Sequence, residues 1–141
     1  MVTSRQKTLV QESFASLAPI AEDAMALFYR RLFELDPALR GMFPADMAAQ
    51  HRKLAQMLTA AVKGLDHLDR LVPVVQDLGR RHAGYGVTDA HYDTVGAALL
   101  WTLEKGLGSA FTSERKDAWA TVYGLLATVM KDAVRTETAA A

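Results

Sequence analysis

The sequence of 141 residues contains no cysteine. This excludes disulfides, iron–sulfur clusters, thiolate zinc sites, cysteine nucleophiles and covalent haem attachment through CxxCH. Charge of one sign is also lacking, because 16 Lys and Arg residues balance 16 Asp and Glu residues. Such a chain has no global field to attract nucleic acid or an anionic membrane. Long apolar runs are absent, since those at 71–75 and 97–101 fall far short of the ~18 residues that span a bilayer. We therefore expect neither a nucleic-acid nor a membrane partner.

The composition is that of an ordinary globular protein, with 50% hydrophobic and 23% charged residues. Its length predicts a single domain over residues 1–141 that can bury a core unaided. The N-terminus is polar throughout and lacks the apolar block of a secretory signal, which favours a cytoplasmic location. The only low-complexity stretch is the tail at 136–141, which we expect to fray.

Apolar residues recur with helical spacing along nearly the whole chain. Residues 25, 28, 29 and 32, for example, follow the i, i+3, i+4, i+7 pattern of one helix face. No convincing alternation of period two indicates a strand. The pattern predicts an all-α domain of six or seven helices. Candidate helix caps punctuate it: Thr3 with Gln6, Asp36 before Pro37, Asp46, Thr88 or Asp89, and Ser113.

Three polar residues interrupt faces that are otherwise apolar: Tyr29, Gln50 and His82. A buried polar group costs a few kcal/mol unless it finds a partner, so three such groups suggest a shared polar object inside the domain. Each also has an ordinary explanation, because a core histidine is commonly satisfied by its neighbours and a tyrosine can pack its ring and hydrogen-bond to the backbone. Gln50 could be exposed, and shifting that helix by one residue would bring His51 inward instead.

Other site signatures are weak or missing. No two histidines stand at i, i+4 beside an acid, and no glycine-rich phosphate loop or nucleophile elbow is present. The basic pairs 52–53 and 80–81 fit solvated helix faces. The methionines fit core filling better than axial ligation.

Four segments carry a resemblance to a known family. They are LFYRRLFELDPALRGMF at 27–43, QHRKL at 50–54, LGRRHAGYGVTDAHYDTVG at 78–96 and AWATVYG at 118–124. Together they resemble the globins, most closely the single-domain bacterial haemoglobins of the Vitreoscilla and Hell's Gate types. The resemblance covers about residues 7–134.

The resemblance implies a globin fold around one non-covalent haem b, with His82 as the iron ligand. It places Tyr29, Gln50 and Leu54 on the distal side, where a gas would bind. Phe43 and Tyr92 match further haem-pocket residues, and Lys53 and Arg81 match positions that can pair with the propionates. Apolar residues on the inward helix faces would surround the haem: Phe28, Leu32, Leu54, Leu58, Leu78, Val87 and Val95.

The function implied is reversible binding of oxygen, and of NO and CO, with high oxygen affinity suited to scavenging or oxygen transport. Alternatives are nitric oxide dioxygenation with a separate reductase, and haem-based gas sensing. A helical bundle without cofactor is a further alternative from a different class. One departure stands out: Val134 occupies the place where flavohaemoglobin-like members have a glutamate close to the proximal histidine.

Overall fold

The computed structural model describes the backbone of residues 2–140 and the side chains of residues 2–135. Within that part of the chain there are helices and turns but no strand, so the all-α prediction is confirmed. Six α-helices are connected by short segments, three of which are 3-10 turns. The α-helices are α1 (Ser4–Leu17), α2 (Ala21–Leu35), α3 (Ala48–Gly64), α4 (Leu68–Gly84), α5 (Asp89–Leu107) and α6 (Ser113–Ala140). The 3-10 turns are Ala18–Ile20, Pro37–Met42 and Gly108–Ala110.

Three of the predicted caps form as expected, among them Thr88, which is the N-cap of α5 and donates its N–H to the His91 ring. At α1 the backbone N–H of Gln6 donates to the Thr3 hydroxyl over 3.1 Å, and the Thr3 N–H donates to the Gln6 side chain over 3.0 Å. At the second 3-10 turn the Asp36 carboxylate accepts from the N–H of Ala38 at 3.2 Å. These bonds satisfy backbone groups that have no partner inside a helix.

Two predicted caps are displaced by one residue. Asp46 accepts from the first backbone N–H of α3 at 3.0 Å, but Met47 occupies the N-cap position itself. At α6 the cap is Thr112 and not Ser113, because the Thr112 hydroxyl accepts from the N–H of Arg115 at 3.3 Å. Thr112 and Ser113 both carry a hydroxyl group and are similarly good caps by residue type, so only the path of the backbone determines which of the two caps α6.

Helix α4 crosses α6 so closely that one position has no room for a side chain. A Cβ atom on Gly79 would lie 2.5 Å from the carbonyl oxygen of Met130. Glycine at this crossing therefore lets the two backbones touch. Because His82 follows Gly79 by three residues on the same helix, this contact fixes the position of His82 along α4 relative to α6.

The end of α4 turns the chain back toward the interior. Gly86 has a φ of 90°, a conformation that favours glycine, and the N–H of Val87 donates to the carbonyl of His82 over 3.1 Å. This arrangement satisfies carbonyls at the helix end in the manner of a Schellman turn. Val87 and His82 both line the cavity described below.

No α-helix of the described chain is long and apolar enough to cross a membrane. The backbone of α6 continues to Ala140, while the tail predicted to fray, 136–141, lies outside the described side chains.

Candidate functional site

A cavity of about 230 Å³ lies between the helices, with mostly aliphatic and aromatic walls. Helices α2 to α6 all contribute to it. An apolar cavity with few polar groups is the ordinary form of a small-molecule or cofactor site. The predicted site residues that line it are Phe28, Tyr29, Leu32, Phe43, Gln50, Leu54, Leu58, Leu78, His82, Val87, Tyr92 and Val95.

Two predicted site residues lie elsewhere. Lys53 and Arg81 are exposed and do not line the cavity. Arg81 donates to the Asp77 carboxylate over 2.8 Å, one turn earlier on α4. Both side chains of that pair are more than half exposed, so the pair is worth little. Pairing of Lys53 and Arg81 with propionates stays a prediction.

The cavity also has wall residues that the sequence did not single out. Several of them belong to helix stripes already recognised as inward, but a stripe does not reveal which of its members face a void and which pack on a neighbour. Besides Tyr123, whose hydroxyl is described below, His91 is the polar member of this group. Its Nδ1 accepts from the N–H of Thr88 at 3.0 Å in the cap of α5, so the neutral ring carries its proton on Nε2. The group comprises Leu39, Met42, Met57, Ala61, Val75, His91, Leu99, Tyr123, Leu126, Ala127 and Met130.

The tautomer of His82 suits it to metal binding. Its Nδ1 lies 2.8 Å from the carbonyl oxygen of Leu78. A carbonyl oxygen only accepts, so Nδ1 must carry the proton and the neutral ring keeps its lone pair on Nε2. A hydrogen bond of this kind fixes the ring orientation and raises the basicity of a histidine ligand.

A bare metal ion would find too few ligands here. Among the described side chains no three His, Cys, Asp or Glu residues converge on one point. Protein sites for zinc normally supply three or four such ligands. A single available histidine in an apolar cavity instead fits a metal that arrives with its other donors in a macrocycle, as haem iron does.

Tyr29 on α2 and Gln50 on α3 form a hydrogen-bonded polar pair in the cavity wall. The Gln50 amide donates from Nε2 to the Tyr29 phenol oxygen over 3.0 Å. Burial raises the pKa of Tyr29, and the hydrogen bond from Gln50 offsets part of that rise. Tyr29 therefore keeps its proton at neutral pH, and because its oxygen accepts from Gln50, its O–H is available to donate to something else.

The ring of Tyr29 is held by aromatic neighbours. Phe28 lies edge-on at 5.1 Å between ring centroids and Phe43 at 5.4 Å. His51 stacks on Tyr29 at 5.6 Å with 26° between the planes, but it does not line the cavity. In the structure Gln50 lines the cavity and His51 does not, which favours Gln50 in the one-residue choice that the sequence left open.

On the α6 side of the cavity, a valine stands where the flavohaemoglobin-like pattern has a carboxylate. Val134 is half-buried on α6, and one turn earlier the Lys131 ammonium lies 5.4 Å from the centroid of the Tyr92 ring. The Tyr123 hydroxyl donates to the Tyr92 carbonyl over 2.6 Å, and burial raises the pKa of Tyr123. Both tyrosines therefore stay neutral beside the cavity.

Comparison with known proteins agrees with this architecture. The globin family profile matches residues 26–130. Neuroglobin of Danio rerio is 32% identical over 92% of this chain and 90% of its own length. The flavohemoprotein of Rhizobium meliloti (strain 1021) is 33% identical over 92% of this chain, which spans only 33% of that protein. A bacterial globin from Campylobacter jejuni superposes with a TM-score of 0.81 at 25% identity, covering 96% of this chain and 99% of that one.

The profile match covers most of the chain, and the described helices enclose an apolar cavity with one histidine ready to bind a metal. The chain belongs to the globin family and has the fold of a bacterial globin, a haem protein that binds diatomic gases.

Proposed function

We propose that this chain, as one domain over residues 1–141, binds oxygen reversibly and with high affinity at a non-covalent haem b. The observation that carries the proposal is the hydrogen bond from Gln50 to Tyr29, which leaves the phenol O–H free to donate into the cavity. When bound, the haem supplies an iron centre that takes up a diatomic gas and shifts electron density onto its outer atom. The residues of the chain bind the haem, exclude water and stabilise that charge.

The body of the haem would be held chiefly by the apolar walls. Burial of apolar surface contributes about 25 cal/mol per Å², which makes the aliphatic and aromatic lining a main source of affinity. His82 adds one directional bond through Nε2. His91 is a wall residue whose Nε2 carries a proton, and we assign it as a partner for a propionate in addition to the exposed Lys53 and Arg81.

On the distal side, Tyr29 and Gln50 act together in stabilising bound oxygen. Tyr29 donates its O–H to oxygen held in the cavity, and Gln50 fixes the orientation of that hydroxyl through its own amide N–H. Tyr29 itself is buried among aromatic rings, which limits the access of bulk water, and a donor in a site without water is worth more than the same donor in water. Because the pKa of Tyr29 is raised by burial, its donor function persists through the neutral pH range.

The proximal side argues against strong peroxide chemistry. A carboxylate near the proximal histidine raises its basicity and favours O–O cleavage, and neither Val134 nor the Lys131 cation supplies one. We expect low peroxide turnover in the wild type and an increase in Val134→Glu. A peroxidase assay on both haem-loaded proteins, with Val129→Glu on the same helix as a control for the added charge, tests this. High wild-type turnover that Val134→Glu leaves unchanged would contradict the argument.

A second candidate function is nitric oxide dioxygenation with a reductase supplied by another protein. It is favoured by the similarity to flavohemoproteins, of which this chain spans about a third of the length. The two functions share the oxygen-binding step and differ in whether a reductase sustains repeated turnover.

The first experiment is a haem titration of the purified chain followed by visible spectra. We expect a Soret band that saturates at one haem per chain, and spectral changes with oxygen and carbon monoxide after reduction. A chain that takes up no haem would overturn both candidates. Stopped-flow mixing of the oxygenated protein with nitric oxide, with and without a reductase, then separates them: sustained nitrate formation only with the reductase supports the second.

A further inference from the structure

Five residues, 43–47, connect the second 3-10 turn to α3, and we refer to them as the distal connection. The carbonyls of its first three residues take no part in a helix and need other partners, whereas that of Met47 accepts from the N–H of His51. The Arg40 guanidinium provides them: Nη1 donates to the carbonyls of Phe43 at 3.2 Å and Pro44 at 2.9 Å, and Nη2 donates to that of Ala45 at 3.2 Å. One side chain thus holds three successive carbonyls.

The same guanidinium rests on the aromatic cluster that surrounds Tyr29. Its central carbon lies 5.4 Å from the centroid of the Phe33 ring, a cation–π distance. Phe33 in turn lies 5.5 Å from Phe43 and 6.0 Å from Tyr29, measured between centroids. Arg40 therefore joins the distal connection to the rings that orient the ligand-facing tyrosine.

The distal connection leads directly into the first turn of α3, where the residues beside Tyr29 are found. Gln50 hydrogen-bonds to the Tyr29 hydroxyl and His51 stacks on its ring. Phe43 is both an end of the connection and part of the cavity wall. A movement of the connection away from α2 would separate these side chains from Tyr29 and open the distal wall.

We propose that Arg40 is a positioning residue for ligand binding, which holds the distal connection closed over the cavity and limits the rates at which gas enters and haem leaves. This inference rests on the proposed function. It concerns a residue that does not line the cavity, so it acts only through the connection and the aromatic cluster.

Arginine is suited to this task in a way that lysine is not. A planar guanidinium offers five donors in a fixed fork and stacks on an aromatic face, whereas an ammonium is a compact point charge. Arg40 makes no ion pair within residues 2–135, so its donors serve the carbonyls. Lysine at this position would keep the charge but lose the fork and the stacking.

If Arg40 only stabilised the fold, removing a comparable arginine elsewhere would change the rates and the C–O band in the same way. Arg115 supplies this matched control. Arg115 Nη1 donates to the carbonyl of Ala110 over 2.8 Å, five residues earlier, in the connection that precedes α6. Its side chain is likewise mostly buried, at 27% exposure, and it does not line the cavity. Arg115→Met removes a carbonyl-holding arginine at a site without contact to Tyr29.

The experiment compares haem-loaded wild type, Arg40→Met, Arg40→Lys and Arg115→Met. Carbon monoxide association measures the rate of gas entry, and haem transfer to an excess of a haem-free acceptor measures the rate of haem loss. The C–O stretching band of the carbon monoxide complex reports on the distal donors, and urea unfolding measures stability. In Arg40→Met we expect both rates to rise roughly three- to tenfold, the scale of about one net hydrogen bond, because water replaces much of what the guanidinium gives the three carbonyls. The C–O band should shift or split as the Tyr29 and Gln50 donors become disordered. The rates of Arg40→Lys should lie between those of Arg40→Met and wild type. Arg115→Met should keep the wild-type rates and C–O band even if urea unfolding shows that it is less stable.

Equal rates and an unchanged band in Arg40→Met would overturn the inference, as would identical changes in Arg115→Met. If Arg40→Met does not fold, Arg40→Lys decides by the same two rates and the same band. Tyr29→Phe separates this inference from the function beneath it. A response to Tyr29→Phe without one to Arg40→Met or Arg40→Lys rejects only the positioning role, whereas a wild type that takes up no haem rejects the proposed function and this inference with it.

Discussion

Haem loss from His82→Ala is expected to be at least about 100-fold faster than from wild type, since even outer-shell changes at metal sites cost 10- to 100-fold in affinity. The substitution removes the only histidine Nε2 that the tautomer leaves free toward the cavity, because Nδ1 is engaged with the carbonyl of Leu78. The apolar walls would remain, so some haem should still bind with an altered ferrous spectrum. Haem transfer to an acceptor protein measures the rate.

The matched control is His67→Ala, which makes the same change at an exposed histidine outside the cavity. It should leave both spectrum and haem loss unchanged. Haem should also raise the melting temperature of wild type, because a ligand that binds only the native state stabilises it by mass action. That increase should shrink in His82→Ala. A ferrous spectrum and haem off-rate identical to wild type in His82→Ala would show that another residue is the ligand.

The sequence predicted the helices and most of the cavity wall because both follow from one property, the helical repeat of apolar residues. Polar interruptions of that repeat at Tyr29, Gln50 and His82 pointed to the interior, and the structure brings all three to one cavity. The choice between Gln50 and His51 could not be made from the pattern, because a one-residue rotation of about 100° keeps either near the boundary of the stripe. Both residues contact Tyr29 on the neighbouring helix, but only Gln50 lines the cavity.

Features that depend on pairs of distant residues were not predictable. In the sequence Gly79 is an ordinary helix position, and only the structure shows that the backbone of Met130 packs against it. Lys131 looks like a solvated charge until its ammonium is found over Tyr92. Arg40 lies within a segment that resembles globins, yet its hydrogen bonds to three carbonyls depend on the path of the distal connection. In each case the signal is a tertiary contact that one-dimensional spacing does not encode.

Oxygen should dissociate from Tyr29→Phe at least tenfold faster than from wild type. Phenylalanine keeps the ring packing but removes the O–H that is free to donate, since the Tyr29 oxygen already accepts from Gln50. A hydrogen bond to a partly charged acceptor in a dry site is worth roughly 1.5–3 kcal/mol, or about 10- to 150-fold in an equilibrium constant. Carbon monoxide is less polarised, so its release should change much less. Stopped-flow displacement of each gas measures both rates.

Variants of the two neighbouring residues on α3 test the direction of the distal wall. Gln50→Leu should accelerate oxygen release less than Tyr29→Phe, because it removes the group that orients the hydroxyl and leaves the O–H itself. The two effects should not add in the double variant, since the residues act through one hydrogen-bonded pair. His51→Ala should have little effect, because its ring stacks on that of Tyr29 and does not line the cavity. Oxygen release that responds to His51→Ala and ignores both Tyr29→Phe and Gln50→Leu would mean that α3 presents the opposite residue to the gas, and high oxygen affinity would then need another donor.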